Sequence, residues 1–130
     1  MANSQIDYWI QISEYDFEVA KSLFEKGHYI YVGFMCHQVI EKILKAAYVK
    51  ATETIPPRTH NLDKLITGSG NAGKISQEYL NFLDELTPLN IEARYPAHKD
   101  AIYKMIDKKK ARTIIEKTES LKTWIIENWI

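Results

Sequence analysis

The sequence predicts an all-α protein, an antiparallel up-and-down bundle of four to five helices. Apolar residues recur at three- and four-residue steps over several long stretches, which is the period of a helix with one buried face. No stretch shows strand-like alternation of useful length. The segments joining the periodic stretches are short, and short connections favour antiparallel neighbours.

The first helix is expected from about Ser4 to Lys26. Ile6, Trp9, Ile10, Ser13, Phe17, Ala20, Leu23 and Phe24 make its stripe, and Gly27 is placed to end it. The second runs from about His28 to Ala51, with Tyr29, Val32, Gly33, Cys36, Val39, Ile40, Ile43 and Ala47 inward. A glycine inside a helix costs about 1 kcal/mol relative to alanine, so Gly33 predicts a close helix–helix approach. Pro56-Pro57 forbids continuation. A short third helix starts after Asn61, a good N-cap, and turns Leu62, Leu65 and Ile66 inward. Ser76 caps a fourth helix that buries Tyr79, Leu80, Leu83 and Leu86 and is weakened by Pro88. Residues Asn90 to Lys99 read as irregular. The last helix begins near Ala101 or after Asp107, ends near Glu127, and carries Ala111, Ile114, Ile115, Thr118, Leu121 and Ile125 inward. Trp124, Trp129 and Ile130 exceed what one stripe needs. An apolar remainder there, or along the first helix, is a candidate homodimer face.

At 130 residues the chain fits one domain spanning its whole length, and 45% hydrophobic residues suffice for one core. With 17 basic and 17 acidic side chains the formal charge is zero, so any nucleic-acid contact must rest on local clustering. The single cysteine excludes an internal disulfide. The start lacks the basic and apolar runs of a signal peptide, and no apolar run approaches the roughly 20 residues of a membrane span. A cytoplasmic protein without membrane contact is the expectation. Four scattered histidines and one cysteine give no ligand spacing for a metal, and Gly68-Ser69-Gly70 has neither the preceding strand nor the following Lys-Ser/Thr of a phosphate loop. No metal and no cofactor are expected.

Four-residue steps along the second helix bring His37, Glu41 and Lys45 to one face, beside the core stripe. Such a row is either a partly exposed face carrying an ordinary Glu–Lys pair or part of a site. Further on, the segment Arg94–Arg112 holds seven basic side chains against two acidic ones. Its cations could engage phosphates while Tyr95 and Tyr103 stack on bases. The plain alternative is a solvated face.

The pieces Ala20-Lys21-Ser22-Leu23, Gly27-His28-Tyr29, His37-Gln38-Val39-Ile40-Glu41-Lys42 with Lys45-Ala46, Thr59-His60-Asn61-Leu62 and Ala93-Arg94-Tyr95-Pro96 occur in this order over nearly the whole chain. In this the sequence resembles the HEPN family of small helical proteins, most closely the prokaryotic type associated with minimal nucleotidyltransferases. The resemblance implies a helical bundle that binds nucleotide or RNA. It also implies a homodimer acting in a toxin–antitoxin couple with a nucleotidyltransferase partner. A nucleotide site would draw on His37, Glu41, Lys45, Arg94 and Tyr95, the ring stacking on a base and the cations meeting phosphate.

Some HEPN members cleave RNA without metal, using an arginine and a histidine with four to six residues between them. Arg94 and His98 are the corresponding catalytic candidates, His exchanging a proton and Arg stabilising phosphate charge. Here only three residues separate them, and Tyr95 replaces the polar residue that follows the arginine. The alternatives are a metal-independent ribonuclease toxin and a non-catalytic scaffold. Tyr103 lies five residues after His98, too far for the short His-x-Tyr element modified in some members. His60 reads as a residue that helps cap the third helix.

Overall fold

The computed structural model describes residues 2–92 and 106–130. Arg94, Tyr95, His98, Tyr103 and the basic segment as far as Met105 lie outside the described residues. The described residues form five α-helices: α1 (Ala2–Glu25), α2 (Tyr29–Thr52), α3 (Leu62–Gly68), α4 (Gln77–Glu92) and α5 (Lys108–Trp129). They pack as an all-helical bundle in which α2 touches each of the other four, and α1 also meets α5. No helix among them is long and apolar enough to cross a membrane.

The turn between α1 and α2 follows from Gly27. It sits at φ +81°, a left-handed conformation in which a side chain would be strained. This lets His28 N donate to Leu23 O at 2.9 Å and Gly27 N to Phe24 O at 3.1 Å, the paired bonds that close a helix end and reverse the chain. The result is an antiparallel α1–α2 hairpin. Its seam includes Ser13, whose buried hydroxyl donates to Val39 O at 2.9 Å.

Capping sets the other starts. Asn61 accepts from Lys64 N at 3.1 Å, Ser76 from Tyr79 N at 3.2 Å and Asp107 from Lys110 N at 2.8 Å. Asp107, rather than Ala101, therefore marks the start of α5. The C-terminus of α2 has no glycine. Glu53 takes the left-handed position instead, at φ 55°, with its N–H on Val49 O at 2.8 Å. Contrary to the expected irregular stretch from Asn90, α4 continues through Pro88 to Glu92. Proline's fixed φ suits a helix, and only one N–H bond is lost. Leu89 and Asn90, both buried, hold the last turn against α2.

The core is centred on Ile40, Ile43 and Leu44 of α2, with Leu65, Phe82, Leu83, Leu86, Ile114, Leu121 and Ile125 around them. Phe82 belongs to this core, although the apolar spacing of α4 did not single it out. Gly33 faces Leu89 and Ile106: a Cβ there would lie 2.9 Å from Leu89 Cδ1 and 3.3 Å from Ile106 Cδ1, the close approach its position predicts. Trp124 and Trp129 are half-buried, with ring centroids 5.1 Å apart and Trp124 also 5.7 Å from Tyr79. The most exposed aromatic residues are instead on α1, where Tyr8 and Tyr15 share one side seven residues apart.

A buried charged network as the candidate functional site

Helix α2 is surrounded by the other helices, so its polar row cannot remain at the surface. His37 and Glu41 are fully buried and Lys45 nearly so. Of the two readings of this row, the partly exposed face does not hold: four-residue spacing fixes that the three share a side, whereas the neighbours of α2 decide that this side is covered.

Glu41 is the hub. Its Oε1 lies 2.8 Å from His60 Nδ1 and 3.9 Å from His37 Nδ1. Its Oε2 accepts from Lys42 Nζ and Lys45 Nζ, each at 3.2 Å. Lys42 also donates to Gln38 Oε1 at 2.9 Å, and Gln38 Nε2 donates to Asn90 Oδ1 at 2.8 Å. Lys45 Nζ lies 5.2 Å from the centre of the Trp9 ring, where the ring face attracts a cation. The network therefore spans α1 (Trp9), α2, the segment before α3 (His60) and the last turn of α4 (Asn90).

Burial by itself pushes the Glu41 carboxyl upward. The His60 hydrogen bond and the charges of Lys42 and Lys45 outweigh that, and it titrates below its ordinary value. Asp16 of α1 behaves oppositely. Partial burial raises it, Glu41 adds to the rise, and Lys42 opposes both. Glu41 is consequently ionised at neutral pH, with two ammonium groups bonded to it.

The structure brings His37, Glu41 and Lys45 together. Arg94 and Tyr95, the other expected nucleotide contacts, and His98, the expected partner of Arg94 in cleavage, lie outside the described residues. His60 differs from its expected capping role: Asn61 caps α3, and His60 reaches back nineteen residues to Glu41. Lys42, Gln38, Asn90 and Asp16 also join the network without having been singled out. Lys42 and Gln38 stand in the same sequence block as His37 and Glu41. No local signal marks Asn90 or His60, because each contributes through a long-range contact. Among the described residues no group of three or more His, Cys, Asp and Glu side chains could hold a metal ion.

The family model of the HEPN domain matches residues 6–129, nearly the whole chain. No curated protein gives a significant match. No solved structure does so either.

Proposed function

Because this chain belongs to the HEPN domain family, a generally nucleotide- and RNA-related group, we propose that it is a nucleotide- or RNA-binding module of a toxin–antitoxin couple. In this reading it acts as a homodimer beside a minimal nucleotidyltransferase partner. The observation that carries the binding reading is the charged network on α2. Placing four ionisable side chains of α2 in and beside a core is expensive, and hydrophobic residues often stabilise such a bundle at least as well. A ligand site is a reason to keep it. Lys45 supplies a cation, and Arg94 and Tyr95 follow Asn90 by four and five residues in the sequence. In this reading they provide phosphate and base contacts beside His37, Glu41 and Lys45. Exposed Tyr8 and Tyr15 on α1 supply apolar surface for association.

The test is binding of a mixed single-stranded RNA and of adenine nucleotides at rising salt. Phosphate contacts release counterions, so affinity falls with salt, and Arg94→Ala and Lys45→Met weaken it in proteins that still fold. Binding that ignores both substitutions, or no binding at all, refutes the reading. The same RNA incubated in chelator, with Arg94→Ala and His98→Ala beside wild type, tests the ribonuclease alternative. Cleavage by wild type alone would replace a binding role by a catalytic one.

A further inference from the structure

His60 combines two properties that the rest of the network lacks. Its side chain is 55% exposed, whereas that of the carboxylate holding it is 1% exposed. A carboxylate can only accept, so the 2.8 Å contact fixes the proton of the neutral imidazole on Nδ1. Nε2 is then an acceptor, and no described residue bonds it. A carboxylate bond of this kind sets tautomer and ring orientation together, as it does for metal-bound histidines.

Charge balance indicates what that nitrogen meets. Glu41 is faced by His37, Lys42 and Lys45 from its own helix, by Asp16 from α1 and by His60 from the segment before α3. The carboxyl groups of Glu41 and Asp16 at most offset the ammonium groups of Lys42 and Lys45. A second proton on His60 therefore creates a positive charge that nothing in this set cancels, with Nε2–H as its outward donor. Glu41 stabilises that imidazolium from behind, and an oxyanion in front completes the balance.

We propose that His60, oriented by buried Glu41, is a phosphate-contacting residue of the nucleotide or RNA site. The inference rests on the nucleotide- or RNA-binding reading and changes the role of Glu41 within it: Glu41 is a positioning residue, and His60 touches the ligand. The chemistry recognised is a phosphate group, whether on a free nucleotide or in an RNA backbone.

The experiment follows the imidazole nitrogens of His60 by NMR in the intact protein, alone and with inorganic phosphate, adenosine 5′-monophosphate or a short single-stranded RNA. Affinities are measured in parallel at pH 7. The neutral ring is expected as the Nδ1–H form, with its Nε2 signal moving on ligand addition. His60→Gln keeps an amide that can donate to Glu41 but lacks the second ring nitrogen, so affinity should fall several-fold while the fold remains. Response to the nucleotide or RNA but not to phosphate alone also supports the proposal and shows that the ribose or base is needed. An Nε2–H tautomer overturns it, as does binding that leaves the His60 nitrogens unmoved; the broader binding reading would survive either result. Absence of binding by any of the three ligands overturns both. The wild-type spectra decide the matter even where the variant fails to fold.

Discussion

Replacing Glu41 by Gln keeps the shape of the side chain and removes one negative charge from the centre of the network. Lys42 and Lys45 each lose the carboxylate oxygen 3.2 Å away, and His60 loses a charged acceptor at 2.8 Å. Removing one partner of a buried pair typically costs about 3–5 kcal/mol, because the other charge is left uncompensated. Here the two ammonium groups are not sealed in: the lysine side chains are 17% and 10% exposed, and each head can turn towards water. Gln also retains one oxygen to accept with. The expected loss is therefore about 2–4 kcal/mol, the lower part of that range extended downward. Urea denaturation at pH 7, followed by far-ultraviolet circular dichroism, reads it. With a slope of about 2 kcal/mol per molar, typical of a small domain, the midpoint drops by about 1–2 M. Lys45→Met, measured alone and with Glu41→Gln, closes a double-mutant cycle. The pair should cost less than the sum, since the second change removes a charge that the first left stranded. A loss under about 1 kcal/mol together with strict additivity would refute the view that Glu41 is a buried, ionised hub.

Four further outcomes are expected. As pH falls below the ordinary Glu value of 4.5, the lowered Glu41 pKa makes the unfolded chain take up its proton first, so the stability this group contributes above pH 4.5 is lost. Asp16, whose pKa is raised above 3.8, is protonated first in the native state and offsets part of that loss, so Asp16→Asn should steepen the acid decline in a denaturation series from pH 6 to pH 3. Glu53→Gly relieves the left-handed strain at φ 55° and should raise stability by about 0.5–1 kcal/mol in urea melts; a decrease would contradict the assigned helix end. Gly33→Val places methyl groups against Leu89 and Ile106, where even a Cβ lies 2.9 Å from an atom, and should cost about 1–3 kcal/mol by overpacking. Burial pushes the Cys36 thiol up to about 12, so iodoacetamide at pH 8 should leave the native protein unlabelled and label it in urea.

Much of the fold was legible because its signals are local. Gly27, Asn61, Ser76 and Asp107 each act on backbone groups within a few residues, and each starts or stops a helix where the sequence places it. The apolar spacing on α2 and α5 gave the inward faces, since a helix repeats every 3.6 residues whatever surrounds it. The reading failed where a distant contact outvoted a local rule. Pro88 suggested an end to α4, yet the helix carries on because Leu89 and Asn90 pack against α2. Glu53 ends α2 in a conformation that glycine usually marks, so no residue type announced it.

The candidate site divides in the same way. Sequence spacing alone put His37, Glu41 and Lys45 on one side of a helix, because the backbone geometry of a helix requires it. Whether that side faces water or protein depends on how many helices surround α2, and periodicity within one helix holds no count of its neighbours. Only the tertiary structure buried Glu41, set two lysines on one of its oxygens and delivered His60, nineteen residues away, to the other. The sequence by itself determined the helices and the residues each one gathers on a face. The packing of those helices decided which polar groups meet, because a hydrogen bond between distant residues is fixed by where their elements come to rest.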